Sequence, residues 1–323
     1  MVLVKKIDLL TNTTPSAPGS VASRLLITGA ATPPRLRRGI SVMEPVDLAL
    51  LKDSLLAMLR EDVGTGDITS RVTIPAGARA TARYVSKQAL VVAGVAAIQK
   101  VVRLVDTDIQ FKALAADSDS VDKGTPLAEL RGSARSILTA ERTSLNLLQR
   151  MCGIDTLTRQ YVERVQGTRA RIIDTRKTVP GLRVLDKYAV TCGGGMNHRM
   201  GLFDGVLIKN NHLAFHSSIT KAMEEARRHV GHLVKIEVEV RSLDELKTAL
   251  AAGADVILLD NFTPELTRKA VDLAAGRIPL ESSGGITLDT VRSFAEAGVD
   301  YISVGALTHS APAVDIHLRV TPE

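Results

Sequence analysis

The sequence predicts an α/β protein, with an α/β barrel of the triosephosphate-isomerase kind following a smaller α+β domain. Three observations point there. Beyond about residue 168, six short β-rich runs recur: Arg171–Asp174, Gly205–Lys209, Val234–Glu239, Val256–Asp260, Ile278–Glu281 and Tyr301–Val304. Amphipathic helical stretches lie between most of them, as at Ser217–Val230, Ser242–Ala252 and Thr287–Ala297, and this alternation specifies parallel βαβ units. Charged and glycine-rich residues collect just after the runs, and a barrel gathers those positions on one rim. Pattern alone leaves an open sheet as the alternative.

Taken in order, residues 1–43 read as an extension rich in Pro, Ser, Thr and Gly with no sustained apolar period. It reads as a disordered tail, or as residues ahead of the true start, since Met43 opens the first well-patterned segment. Its arginines and scarcity of acids also suit an organelle transit peptide. Residues 44–150 form the first domain. Leu48, Leu51, Leu55, Leu56 and Leu59 recur at helical spacing, and a turn follows at Gly64–Asp67. Alternating runs at Thr81–Ser86 and Ile109–Leu114 flank a helix at Val95–Val105. A strongly helical stretch extends from about Ser133 to Gln149. Residues 151–309 carry the barrel.

Composition excludes several functions. No stretch approaches the roughly 18 unbroken apolar residues of a bilayer-spanning helix, so no membrane partner is expected. Cys152 and Cys192 show neither CxxC nor His-spaced pattern, which excludes a zinc module or disulfide scaffold and favours a reducing, cytoplasmic setting. The net charge is +6, but residues 1–43 hold six basic residues against one acid, leaving +1 for everything else. With aromatics at 3% and no Trp, there is little on which bases could stack, and nucleic-acid binding is not expected.

The run ends divide into two chemistries. Arg176, Lys177, His198, Arg199 and Lys209 would converge on an anion. An arginine fork meets a carboxylate with two charge-assisted bonds, each worth about 1.5–3 kcal/mol. Opposite them, Glu239 and Asp260 suit a ribose diol, Mg²⁺ or a developing positive charge. Glu237 shares a strand face with Glu239 but sits further from the run end, as a buried partner. Ser282–Gly285 ahead of a helix, and Ser303–Ala306 at the next run end, fit phosphate on a late barrel rim.

Three other features read as structure. Asp62–Asp67 resembles a phosphoribosyl-pyrophosphate loop but follows a polar helix end rather than a strand, so it is a turn. Gly193–Gly195 lacks a preceding strand and is a loop carrying His198 and Arg199, not a dinucleotide fingerprint. Cys192 has no evident base partner for a nucleophilic role.

Together, Thr175–Gly181, Gly193–Arg199, Leu207–His212, Ile236–Glu239, Leu259–Asn261, Glu281–Ile286 and Ser303–His309 closely resemble the quinolinate phosphoribosyltransferases, from about Glu61 to the C-terminus. The resemblance implies an N-terminal α/β sandwich and an open barrel of about seven strands, one more than the pattern yields. It also implies a last helix near Val314–Leu318 that returns to the N-terminal domain with the 310–323 segment. The implied reaction joins quinolinate to 5-phosphoribosyl 1-pyrophosphate with Mg²⁺, giving nicotinate mononucleotide, pyrophosphate and CO₂ for NAD biosynthesis.

By the same resemblance, Thr175, Arg176, His198, Arg199 and Lys209 line the quinolinate pocket, with Arg142 supplied by a second subunit of a dimer or hexamer. Lys177, Glu239 and Asp260 are the expected catalytic residues and contact the sugar pyrophosphate. Glu239 and Asp260 meet the metal, indirectly through substrate. Ser283, Gly284, Gly285, Val304, Gly305 and Ala306 hold the 5-phosphate. A paralogous pyrophosphorylase-like protein linked to molybdenum transport is the alternative; Lys209–Asn211 favours the quinolinate enzyme.

Overall fold

The computed structural model describes residues 51–323. The extension at 1–43 and the start of the first helical pattern, Leu48 included, lie outside those residues. The chain begins with α1 (Lys52–Val63) and α2 (Ile68–Thr73). The Gly64–Asp67 turn joins them: Gly64 returns its N–H to the Arg60 carbonyl, and Asp67 caps α2 by accepting from the Ser70 N–H at 2.9 Å. Then follow β1 (Arg79–Ser86), β2 (Leu90–Val91), α3 (Val95–Val105), β3 (Gln110–Ala113), β4 (Ser120–Val121), β5 (Pro126–Ser133) and the 31-residue α4 (Ala134–Arg164).

Strands and helices alternate beyond α4: β6 (Arg171–Ile173), α5 (Arg183–Cys192), β7 (Val206–Ile208), α6 (Asn210–Leu213), α7 (Ile219–His229), β8 (Ile236–Val240) and α8 (Leu243–Ala251). The pattern continues through β9 (Val256–Asp260), α9 (Pro264–Ala274), β10 (Leu280–Ser283), α10 (Val291–Glu296), β11 (Tyr301–Ser303) and α11 (Ala306–His309), and β12 (Ile316–Pro322) ends it. Ser218, Ser242 and Thr263 cap α7, α8 and α9 through side-chain oxygens, with Pro264 in the first helical turn.

Two cores result. In the first, an antiparallel sheet of order β12-β1-β5-β3 packs against α3 and the first half of α4 through Tyr84, Ile98, Leu130, Ile137 and Leu148. The second surrounds a parallel sheet of order β6-β11-β10-β9-β8-β7. The six sequence-derived runs are its six strands. The seventh is a single parallel bridge, Met196 to Ile173, sealed by Met196 N–H to the Ile172 carbonyl at 2.9 Å. Among the described residues no ladder joins Met196 to β7, so the barrel is open at that seam.

Helix α4 serves both cores. Its helical pattern was read to Gln149, yet it continues to Arg164, burying Met151, Ile154 and Tyr161 against the barrel side. The chain therefore passes residue 150 inside a helix, with no linker. The expected helix at Val314–Leu318 is corrected to strand β12, which pairs with β1 over seven residues, from Ala80↔Pro322 to Ser86↔Ile316. A helix there would leave the β1 edge without its ladder partners. To reach that edge the chain crosses α4 at Gly153, where a Cβ would stand 2.1 Å from the Pro312 carbonyl oxygen. Only glycine admits so close a crossing. No helix among the described residues is long and apolar enough to cross a membrane.

Candidate active site

The C-terminal ends of the parallel strands enclose a cleft of about 690 Å³. Every site residue expected from the sequence lines it except Arg142. Thr175, Arg176 and Lys177 follow β6, His198 and Arg199 follow the Met196 bridge, and Lys209 follows β7. Glu239 lies on β8 and Asp260 ends β9. Ser283–Gly285 and Val304–Ala306 close the far wall after β10 and β11. Arg142 lies exposed on α4 and does not line this cleft.

Buried polar contacts fix the cationic wall. Asp174, fully buried just past β6, accepts from Lys187 Nζ, from Asn197 Nδ2 at 2.6 Å and from the His198 N–H at 2.9 Å. Lys187, also fully buried, donates in turn to the His198 carbonyl at 3.0 Å. Burial pushes the Asp174 carboxyl up and the Lys187 ammonium down, and each opposes the shift of the other. Arg150 forks onto Asp186 at 2.8 and 2.7 Å and reaches the Thr308 carbonyl, tying α4 to α5 and α11. Thr308 then donates to the Lys177 carbonyl at 2.9 Å, and Arg183 to Thr178. The segment bearing Arg176 and Lys177 is thereby anchored although it has no regular structure of its own.

This wall is built for an anion. Arg199 donates to the Gly205 carbonyl at 2.9 Å, and its pKa is drawn down by burial and then by the neighbouring Arg176 charge. Arg176 Nε is buried and has no partner among the described residues. Two guanidiniums crowded together, one with an unmet donor, have their electrostatic cost relieved by a carboxylate.

The acidic wall differs. Glu239 is already engaged by Lys209 Nζ at 2.9 Å and Asn210 Nδ2 at 2.9 Å. Asp260 has no ion pair among the described residues; its pKa is raised by burial and by the Glu239 charge. Of the two, Asp260 is the carboxylate open to a cation or sugar hydroxyl. Beside it, Gly284 (φ +103°) and Gly285 (φ +62°) turn the backbone in left-handed conformations. A Cβ on Gly284 would lie 2.2 Å from Asn261 Oδ1, so the backbone there is bare by necessity.

Sequence reasoning missed several lining residues, including Asn261, Thr287 and His309. His309 lies one helical turn beyond Gly305, a spacing that would have flagged it. Glu281 lines the floor at 2% exposure and was given no role. Cys192 is buried, its thiol pushed up to about 12 by burial, and has no part in the cleft.

Comparison with known proteins agrees with this architecture. The family model "Quinolinate phosphoribosyl transferase, N-terminal domain" matches residues 67–152, and its C-terminal counterpart matches 154–319. A probable carboxylating nicotinate-nucleotide pyrophosphorylase of Bacillus subtilis is 46% identical over 271 residues, covering 84% of this chain and 93% of its own. A mitochondrial decarboxylating quinolinate phosphoribosyltransferase of Nicotiana glauca is 38% identical, covering 84% of this chain and 83% of its own. The crystal structure of NadC from Streptococcus pyogenes superposes with a TM-score of 0.84 at 39% identity, over 87% of this chain and all of that one.

Proposed function

The chain belongs to the quinolinate phosphoribosyl transferase family, and from that premise we propose that it is the decarboxylating enzyme of NAD biosynthesis. It joins quinolinate to 5-phosphoribosyl 1-pyrophosphate and releases nicotinate mononucleotide, pyrophosphate and CO₂. The observation that carries this reading is one cleft with crowded, partly unmet guanidiniums on one wall and two carboxylates on the other.

Arg176, Arg199 and Lys209, with Thr175, hold the pyridine dicarboxylate and aim its ring nitrogen across the cleft, and the His198 ring packs beside it. The backbone cradle of Ser283–Gly285 and Val304–Ala306 takes the 5-phosphate. As the bond to pyrophosphate breaks, positive charge grows on the sugar, and Glu239 and Asp260 stabilise it. Lys177 neutralises the departing pyrophosphate. Lys209 and Asn210 hold Glu239 in one orientation, so the charge is aimed before substrate arrives. No covalent nucleophile is required.

The donor set fits Mg²⁺: oxygen ligands on adjacent strand ends, of which the Asp260 carboxylate is the open one. When bound, the ion supplies charge neutralisation to the pyrophosphate.

A second subunit completes the reading. Arg142 points to solvent, and large apolar side chains stand exposed at the barrel rim (Leu202, Phe203, Phe215) and on α2 (Ile68, Val72). In a dimer, Arg142 enters the neighbour's cleft. Mixed Arg142→Ala and Glu239→Ala subunits, each inactive alone, then regain part of the activity; no recovery after verified exchange contradicts the shared site.

The reaction itself is tested with quinolinate, 5-phosphoribosyl 1-pyrophosphate and Mg²⁺. The expected outcome is stoichiometric CO₂ and mononucleotide, with nicotinate a poor substrate. Equal turnover of nicotinate contradicts the dicarboxylate pocket.

A further inference from the structure

Barrel interiors are ordinarily filled with branched aliphatic side chains. Here the floor beneath the cleft holds Glu237, Glu281 and His198, with ligand-capable atoms all within 4.8 Å of one another. His198 Nε2 lies 3.0 Å from Glu237 Oε2 and 3.7 Å from Glu281 Oε2. Both glutamates keep a buried Oε1 with no partner among the described residues.

Two occupants fit such a cluster, a dication or a proton. The histidine decides between them. Its Nδ1 accepts the Arg199 N–H at 2.6 Å and so bears no hydrogen; in the neutral ring the proton then sits on Nε2, the atom facing the carboxylates. A metal needs a lone pair at that position. The Nε2–H instead donates to Glu237, and the second acid, with a carboxylate already beside it, holds a proton. Burial and the Glu237 charge both push the Glu281 carboxyl well above the usual range, in agreement with that geometry.

The proposed reaction needs a proton at one place. When CO₂ leaves, the bond from the ring carbon to the carboxylate breaks and its electron pair stays on that carbon, beside the ribosylated, positively charged nitrogen. A C–H bond must then form. We infer that Glu281 is the acid that supplies this proton, with Glu237 and His198 holding it in place. Glu281 lines the same cleft as the arginines that grip the ring, so it faces the substrate from below. Its O–H breaks, its carboxylate remains, and water restores the proton once product has left. The inference rests on the decarboxylating reading above.

Single-turnover measurements on wild type and on near-isosteric Glu281→Gln separate the two steps. Pyrophosphate release should keep its rate within about threefold, while nicotinate mononucleotide forms about 100-fold more slowly and the dicarboxylated mononucleotide accumulates. Glu281→Asp, which keeps an acid, should stay within about tenfold of wild type. Both steps slowing together, both unchanged, or an Asp variant as slow as the Gln variant overturns the assignment. Mn²⁺ binding to the substrate-free protein that disappears in Glu281→Gln makes the cluster a metal site and also overturns it. Wild-type protein that releases no CO₂ from quinolinate sinks the function itself, a result distinct from a variant that matches an active wild type.

Discussion

Asp174 and Glu281 are both buried acids of the parallel sheet, Asp174 just past the end of β6 and Glu281 within β10, and they are treated in opposite ways. Asp174 accepts from Lys187, Asn197 and the His198 backbone. Glu281 has a buried oxygen with no donor among the described residues and a second carboxylate for a neighbour. A buried charge met by donors fixes geometry; a buried acid left without them holds a proton that it can give up. The first builds the wall that carries His198 and Arg199, and the second lies under the substrate. Asp155, on α4, is a third case: fully buried, both oxygens unpartnered among the described residues, and outside the cleft.

The sharpest way to break this contrast is Lys187→Met, which turns Asp174 into an uncompensated buried charge. Denaturant unfolding should show a loss of about 3–5 kcal/mol, and a loss below about 1 kcal/mol would mean that the pair fixes little. Next comes Asp155→Asn. Burial raises the Asp155 carboxyl to about 8, so between its unfolded value near 4 and that figure the native state holds a proton that the unfolded chain has released. Native stability from this group therefore falls as pH rises through that window. The variant, which carries no such proton, should melt close to wild type at pH 4 and several degrees higher at pH 8; a difference independent of pH removes the explanation. Smallest is Asn197→Ala, which deletes one of three donors to Asp174. It should cost about 1 kcal/mol and raise the quinolinate KM only modestly, because Lys187 still holds the loop.

Much of the fold was legible because a barrel repeats one local rule. Each β run is apolar and short, each helix amphipathic, and the six runs became six strands. The seventh was not legible, since a single bridge at Met196 has no period to detect. Strand β12 escaped for another reason: its partner β1 is remote, and pairing partners are chosen by the fold rather than by neighbours in sequence. The rim residues were legible as charge at run ends. The cluster below was only half so. Glu237 was read as a buried partner from strand alternation, but its approach to Glu281 and His198 depends on how β8, β10 and the loop after Met196 meet around one axis. Arg142 shows the same limit from outside, because a solvated helical arginine carries no mark of what it faces in a second copy.

The completion of the first sheet by β12 has a consequence for biogenesis. Thr81 and Glu323, hydrogen-bonded across that sheet, stand 242 positions apart. On the ribosome, the earliest-made sheet must wait with an exposed edge while the whole barrel is translated. Stalled or prematurely terminated chains would present that naked edge, making them targets for chaperones and proteases before any catalysis can begin.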